Sequence, residues 1–276
     1  MSGKIFNALT IAGSDSGGGA GTQADLKAFS AHGVYGASVI AALTAQNTRE
    51  VSGIHDVPPE FVRLQMDTVF DDIAIHAVKI GMLSRPDVIA QVAEGLEEKA
   101  TCPIVLDPVM VAKSGHKLLS DDAVDSLRAR LLPLADLVTP NLPEAGVLLD
   151  RQPPTDEGEM AEAAKMLLQQ GAKAVLMKGG HLDTASLKDG QLVDLLVTAD
   201  GVFRFTSNHI TTKNTHGTGC TLSSSIAARL AKGDTMEKAV DMARRYLNRA
   251  IGAADELSVG SGHGPVHHFH ALWGKD

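Results

Sequence analysis

Short apolar runs alternate along the chain with stretches whose apolar residues recur at helical spacing. Runs typical of strands lie at residues 5–12, 37–45, 76–80, 104–106, 137–139 and 174–177. Helical spacing is clear at Val62, Met66, Val69 and Phe70, after a pair of prolines. The other predicted helices cover 24–32, 88–96, 159–170 and two stretches after residue 217. Strands that alternate with helices in this way predict a parallel sheet with helices on both faces.

Two further apolar runs, 192–197 and 202–205, are joined by the turn-forming residues ADG. This arrangement predicts a β-hairpin, which we place at one edge of the sheet. The sequence contains no internal repeat, low-complexity tract or linker rich in proline or serine. We therefore expect one domain over residues 1–276.

Polar or glycine-rich segments follow the predicted strands. In chain order they read GSDSGGGAG, TAQNT, GMLS, DPVM, TPNLPE and KGGH. Because ligands of parallel sheets bind at the carboxyl ends of the strands, we expect these loops to share one cleft.

Composition narrows the class of ligand and the cellular setting. The net charge of the 276 residues is -8, which argues against nucleic acid as the main partner. Only two cysteines occur, Cys102 and Cys220, which fits a reducing compartment and provides no disulfide framework. No signal peptide or membrane span is recognisable, so we expect a cytoplasmic protein.

The first glycine cluster contains GAGTQA, which satisfies the dinucleotide pattern G-x-G-x-x-A. That pattern also requires an acidic residue about 20 positions later, to bind the ribose hydroxyls. No Asp or Glu occurs between Asp25 and Glu50, so a nicotinamide cofactor is disfavoured. The density of glycine instead indicates close approach of the backbone to a ligand.

Four polar residues after strands have two interpretations each. The amide of Gln46 could pair with an amino-substituted ring nitrogen, or it could lie in a surface loop. Asn141 and Glu144 could face Mg²⁺, or they could form a capping box at a helix start, which the spacing favours. Lys178 could contact nucleotide phosphates, or it could be a solvated loop lysine.

The stretch KNTHGTGCT, residues 213–221, leads directly into a predicted helix. Gly217, Thr218 and Gly219 would expose free backbone N–H groups at its positive end, which makes an anion site. Cys220 would lie at the helix start, where we expect the dipole to lower the thiol pKa. Such a cysteine could be a nucleophile, a proton acceptor or a packing residue.

Histidines near the C-terminus, in GHGPVHHFH, fit no zinc pattern. We interpret this stretch as a packed terminal segment.

These motifs, in this order, resemble the bacterial hydroxymethylpyrimidine/phosphomethylpyrimidine kinase family of thiamine biosynthesis. The resemblance runs from about Ala8 to Trp273. It is carried by AGSDSGGGAGTQADLKAFSAHGVYGASVIAALTAQNT, KIGML, LDPVM, TPNLPEA, LMKGGH, TKNTHGTGCTLSSSIAA and GPVHHFH. The family belongs to the ribokinase-like superfamily, so the resemblance implies a three-layer α/β/α sandwich with a mostly parallel central sheet.

The resemblance also implies roles for particular residues. Gln46 would bind the aminopyrimidine, in a pocket that also includes Gly13, Ala20, Asp25, Met82 and Val109. The Mg²⁺–triphosphate and nucleotide side would comprise Asn141, Glu144, Lys178, Thr211 and Thr218, with Glu144 facing the metal. Gly217, Gly219 and Cys220 would surround the transferred phosphoryl group, with Cys220 where most of the superfamily has an aspartate base.

The implied reaction uses ATP and Mg²⁺ to phosphorylate 4-amino-5-hydroxymethyl-2-methylpyrimidine, first to its monophosphate and then to the diphosphate. A homodimer is implied as well. One departure is Ser16-Gly17, where Pro-Ser is usual, which we expect to make the loop more flexible. The alternatives are a pyridoxal or pyridoxine kinase of the same superfamily and a non-catalytic pyrimidine- or nucleotide-binding regulator. Gln46 and the surrounding TAQNT favour the aminopyrimidine.

Overall fold

The computed structural model describes residues 4–110, 119–180 and 191–273. Its strands form one nine-stranded sheet in the order β3-β2-β1-β4-β5-β6-β7-β8-β9. The strands are β1 Asn7–Gly13, β2 Tyr35–Gln46, β3 Val51–Asp56, β4 Ala77–Ile80, β5 Ile104–Leu106, β6 Leu137–Val138, β7 Ala174–Lys178, β8 Gln191–Thr198 and β9 Gly201–Asn208.

The central strands β2, β1, β4, β5, β6 and β7 pair in parallel. At one edge β3 pairs antiparallel with β2. At the other edge β8 and β9 form a hairpin, with β8 antiparallel to β7. The predicted parallel core and edge hairpin are therefore confirmed.

Helices cover both faces of the sheet. Alternate residues of a strand face opposite sides, so Leu9 and Leu106 belong to one apolar cluster while Ala8 and Val105 belong to the other. Helices α2 to α6 contribute to the first cluster, and α1, α7 and α8 to the second. The helices are α1 Gly21–Ala31, α2 Pro59–Asp72, α3 Pro86–Lys99, α4 Asp121–Ser126, α5 Leu142–Leu149, α6 Glu157–Gln169, α7 Thr218–Ala231 and α8 Met236–Gly252. The expected three-layer α/β/α sandwich is confirmed.

Two elements were not predicted, and a third was indicated only at its start. The edge strand β3 lacks an apolar run and has exposed or half-exposed residues throughout. Helix α4 is short and continues as a π turn, Leu127–Leu131, and a 3₁₀ turn that contains Pro133. Helix α5 has only eight residues and was visible in the sequence only through its capping pattern.

The C-terminal segment packs against the loop that precedes α7. The His216 amide donates to the Gly264 carbonyl at 3.0 Å, and the His267 amide donates to Ala250 at 2.9 Å. His268 is buried, with Nε2 2.9 Å from the Thr221 hydroxyl. The interpretation as a packed segment is confirmed. Within the described ranges, no helix has both the length and the apolar character needed to cross a bilayer.

Candidate active site

Two glycine-containing loops meet at the carboxyl edge of the sheet. One follows β1 and covers residues 14–20, and the other precedes α7. Gly217 has a φ of 78°, and a side chain there would collide with the Gly19 carbonyl. Glycine at 217 therefore allows both the left-handed backbone and the close approach of the loops. Gly217 is also the N-cap of α7, and no side chain caps this helix. The Thr218 amide donates to the Thr215 carbonyl at 3.4 Å, so the Gly219 and Cys220 amides are the ones that this helix start offers to an anion.

Asp15 organises the loop after β1. Its carboxylate accepts hydrogen bonds from the amides of Gly17 at 2.8 Å, Gly19 at 3.0 Å and Ala20 at 2.8 Å. His216 Nε2 lies 2.9 Å from the same carboxylate. Burial raises the Asp15 pKa, but the hydrogen bond and charge of His216, with the loop amides, bring the pKa below its ordinary value. Asp15 was not among the predicted site residues, although only Ser14 separates it from the end of β1.

Gln46 ends β2 beside this loop and is half-buried. The Ser16 hydroxyl accepts a hydrogen bond from the backbone N–H of Gln46 at 2.8 Å and donates one to the backbone carbonyl of Gln46 at 2.9 Å. Ser16 is one of the two residues that depart from the family pattern. Its hydroxyl therefore supplies a restraint at the position where we expected only added flexibility.

The other residues predicted for the substrate pocket lie at neighbouring strand ends. The Gly13 amide donates to the Met82 carbonyl at 3.1 Å, so the ends of β1 and β4 are in contact. Ala20 is the N-cap of α1, and its amide is held by Asp15. Val109 follows β5 and is half-buried, as is Met82.

A charged cluster lies beside the start of α7. Lys178 Nζ is 3.3 Å from Asp107 Oδ1 and 3.6 Å from Glu144 Oε2. A β-carbon placed on Gly219 would lie 3.5 Å from Asp107 and 3.6 Å from Lys178. Asp107 also accepts from the hydroxyls of Thr139 and Ser223, each at 3.1 Å. Asp107 was not among the predicted site residues, although it follows β5 directly.

The pKa values of this cluster reflect burial and mutual charge. Burial raises the pKa of Glu144 above its ordinary value, and Lys178 only partly opposes this. Burial also acts to raise the pKa of Asp107, but Lys178 and Lys79 bring it below its ordinary value. For Lys178, burial acts to lower the pKa. The neighbouring carboxylates of Asp107 and Glu144 act in the opposite direction, and the net pKa lies above its ordinary value, so the ammonium stays charged.

Asn141 and Glu144 form the capping box of α5. The Asn141 side chain accepts from the Glu144 amide at 2.8 Å, and Glu144 accepts from the Asn141 amide at 2.7 Å. The capping interpretation is confirmed. It does not compete with a ligand role, because the same Glu144 carboxylate faces Lys178.

Cys220 is half-buried in the first turn of α7. The expectation that its pKa is lowered is wrong, because burial is the largest influence and raises the pKa to about 11. Lys79 lowers the pKa, while Asp25 and Asp107 raise it further. Burial and the two nearby carboxylates together outweigh the effect of the helix position.

Asp25 lies beneath the site and has no exposed surface. Its carboxylate is 2.9 Å from Lys79 Nζ and accepts from Thr10 at 2.6 Å and Ser224 at 2.5 Å. A substrate contact would need an oxygen at the pocket surface, so the geometry favours a supporting position for Asp25 below Cys220.

Thr211 is exposed between β9 and α7, and within the described chain no hydrogen bond or ion pair joins it to Lys178 or Glu144. Thr218 is the first residue of α7. The loop residue His181 lies outside the described residues.

Comparison with known proteins identifies the family. The family model described as phosphomethylpyrimidine kinase matches residues 15–267. The hydroxymethylpyrimidine/phosphomethylpyrimidine kinase of Rhizobium meliloti is 56% identical over 266 residues, which are 96% of this chain and 98% of the relative. The chain belongs to the phosphomethylpyrimidine kinase family.

Solved structures agree with this assignment. The phosphomethylpyrimidine kinase of Clostridium difficile 630 has a TM-score of 0.79 at 44% identity, covering 90% of this chain and 100% of that one. A Bacillus subtilis pyridoxal kinase, solved as an ADP complex, has a TM-score of 0.88 at 35% identity, covering 98% and 100%. The expected ribokinase-like fold and kinase class are therefore confirmed for this member of the phosphomethylpyrimidine kinase family.

Proposed function

We propose that this kinase transfers the γ-phosphoryl group of ATP to the hydroxymethyl group of 4-amino-5-hydroxymethyl-2-methylpyrimidine. A second transfer in the same site would convert the monophosphate into the diphosphate used for thiamine. The observation that supports this most strongly is the uncapped start of α7 beside Lys178, Asp107 and Glu144. Phosphoryl transfer depends on positioning and on neutralising spread charge, which backbone amides and a lysine provide.

The pyrimidine would lie between the loop after β1 and the end of β2. Gln46 would bind the ring by its amide, and Gly13, Ala20, Met82 and Val109 would line the pocket. A β-carbon at Gly13 would collide with the Met82 methyl group, so glycine at this position makes room for Met82 in the wall of the pocket. In this arrangement Asp25 acts from below, through Lys79 and Ser224.

The triphosphate would lie over the start of α7, with Gly217, Thr218 and Gly219 below it and Lys178, Asn141 and Thr211 alongside. Glu144, helped by Asp107, would hold Mg²⁺, which would neutralise phosphate charge. The described residues contain no group of three or more His, Cys, Asp or Glu side chains arranged around a metal. Mg²⁺ suits the pair that is present, because it usually takes one or two carboxylates and completes its shell with water and phosphate oxygens.

Cys220 is the proposed acceptor of the hydroxyl proton. Without ligands its pKa is about 11, so the thiol holds its proton at neutral pH. The thiolate would therefore have to form in the complex with both substrates, where neutralisation of Asp107 removes one cause of the high pKa. The proposed form of the enzyme is a homodimer located in the cytoplasm.

The test is ADP release from Mg-ATP with four acceptor conditions: hydroxymethylpyrimidine, its monophosphate, pyridoxal and no acceptor. We expect turnover of both pyrimidines well above that of pyridoxal. Preference for pyridoxal would move the protein to vitamin B6 salvage, the alternative that the higher identity to hydroxymethylpyrimidine/phosphomethylpyrimidine kinases does not favour. ADP release at the same rate with and without an acceptor would overturn the pyrimidine assignment.

The same assay on Cys220→Ala tests the base role. We expect kcat to fall roughly 10²–10⁴-fold, the usual contribution of a general base, while nucleotide binding persists. Wild-type turnover in this variant would exclude Cys220 as the base.

A further inference from the structure

The Gln46 carboxamide has two neighbours inside the protein. Its nitrogen Nε2 lies 3.3 Å from His216 Nε2 and its oxygen Oε1 lies 3.3 Å from the Thr44 hydroxyl, but the hydrogen bonds open to the two ends decide which end is nitrogen, and they require the reverse assignment. We propose that His216, held by Asp15, fixes the direction of this carboxamide and thereby acts as a positioning residue for recognition of the acceptor ring. The inference deepens the proposed function and rests on it, since the proposed role of His216 assumes that the Gln46 carboxamide binds the acceptor ring.

The His216 side of the contact determines which amide atom faces it. His216 Nε2 is 2.9 Å from Asp15 Oδ2, and a carboxylate can only accept a hydrogen bond. The Asp15 carboxyl is ionised at neutral pH, because its pKa lies below the ordinary value. Nε2 must therefore carry a proton. An Nε2–H group cannot accept from an amide nitrogen, so it is the amide oxygen of Gln46 that faces His216, and the single Nε2 proton is then shared in a three-centre hydrogen bond between Asp15 at 2.9 Å and Gln46 at 3.3 Å.

The contact with Thr44 independently requires the same orientation of the Gln46 carboxamide. The Thr44 hydroxyl donates to the Ser14 carbonyl at 2.8 Å, which uses its one proton. Its oxygen can then only accept, so the amide nitrogen of Gln46 faces Thr44. Two contacts on opposite sides of the carboxamide thus require the same orientation.

The fixed carboxamide keeps capacity for a ligand. One N–H is used on Thr44 and one lone pair on His216, which leaves one N–H and one lone pair. A ring nitrogen next to an exocyclic amino group matches this pair, because the ring nitrogen accepts from the N–H and the amino group donates to the oxygen. The Ser16 hydroxyl holds the Gln46 backbone from the other side. A reversed carboxamide would place its NH₂ against the amino group, so the orientation selects aminopyrimidines.

Two variants test this role by kinetics. His216→Leu removes the donor, and His216→Gln keeps an N–H group in the same region. We expect His216→Leu to raise KM for hydroxymethylpyrimidine roughly 3- to 10-fold, as for one lost hydrogen bond, with KM for ATP unchanged. His216→Gln should bring KM back to within about threefold of the wild type. Equal changes in both KM values, or no rescue by Gln, would indicate a merely structural residue and overturn the inference.

The protonation of Nε2 can be measured without catalysis. In protein labelled with ¹⁵N-histidine, the His216 ring signals are identified by their loss in His216→Gln. Nitrogen shifts at neutral pH should show a proton on Nε2. An unprotonated Nε2 would overturn the inference even if the enzyme phosphorylates pyrimidines.

The kinetic outcomes also separate the two proposals. If the wild type phosphorylates hydroxymethylpyrimidine and His216→Leu behaves like it, the positioning role is wrong and the proposed function stands. If the wild type does not phosphorylate the pyrimidine at all, both are overturned.

Discussion

At the scale of single residues, the charge around Cys220 determines when its thiol can react. Burial is the largest cause of its raised pKa, and the carboxylates of Asp25 and Asp107 add to it. Lys79 acts in the opposite direction. The free enzyme therefore has a neutral thiol at physiological pH, in contrast to cysteines that are reactive because a positive environment keeps them ionised.

This leads to a prediction about thiol alkylation. The Cys102→Ala variant leaves Cys220 as the only thiol of the chain. Cys102 has to be removed because its pKa is also raised to about 11, so the labelling rates of the two thiols would not be distinguishable. With iodoacetamide at pH 7.5, labelling of the folded variant should be roughly 10²–10³-fold slower than in the same chain unfolded in urea. The rate should rise about tenfold per pH unit until the pH nears the thiol pKa. Intact mass spectrometry measures this, and equal rates for folded and unfolded chains at pH 7.5 would contradict the raised pKa.

The site residues that were not predicted differ in the signal that could have shown them. Asp107 follows β5 directly and Asp15 follows β1 after one residue, so both could have been found by the rule that brought out Asn141 and Lys178. The signal for Lys79 is a charge within the buried strand AVKI. No local pattern predicts that His216 meets Asp15, because 201 positions separate them and only the fold brings them together.

At the scale of elements, the start of α5 combines a structural and a proposed catalytic role. The capping box could be predicted because its hydrogen bonds are local. The contact of Glu144 with Lys178 depends on the neighbouring positions of β6 and β7 in the sheet and could not. The buried central strands could be predicted for the same reason as the capping box, because an apolar run is a local feature of the sequence. The edge strand β3 was not, because its stability comes from pairing with β2.

Variants at Asn141 separate the two roles. Asn141→Asp keeps an oxygen that accepts from the Glu144 amide, so we expect the free energy of unfolding to stay within about 0.5 kcal/mol of the wild type. The variant loses the amide donor and gains a negative charge on the proposed triphosphate side, so KM for ATP should rise roughly tenfold or more. Urea unfolding and steady-state kinetics measure the two effects.

The matched control is Asn141→Ala, which removes the cap and should lower the free energy of unfolding by about 1 kcal/mol. Wild-type KM for ATP in Asn141→Asp would show that Asn141 serves the helix alone.

At the scale of the whole molecule, one buried network joins the sheet to the helix layer that carries the active site. Asp25 of α1 binds Lys79 of β4, Thr10 of β1 and Ser224 of α7. Neither Asp25 nor Lys79 has any exposed surface. Burial acts to lower the Lys79 pKa, but its surroundings, led by the charge of Asp25 and including that of Asp107, together hold the pKa above its ordinary value, so the lysine stays charged. The network therefore fixes α7, and with it the proposed anion site, relative to the strand ends.

Removing both partners of this ion pair should destabilise the protein much less than the sum of the two single removals. Lys79→Met leaves the Asp25 carboxylate without its counter-charge, and Asp25→Asn leaves Lys79 buried and unpaired, so each should cost roughly 3–5 kcal/mol in urea unfolding. In the double variant no unpaired charge remains, and its loss should be well below the sum of the single losses. Arg85→Met is the control, because its partner Asp87 and the arginine are both about half-exposed and the change should be small. Additive losses in the double variant would show that Asp25 and Lys79 act independently, and the link between the sheet and α7 would then have to lie in the apolar packing of α7 instead.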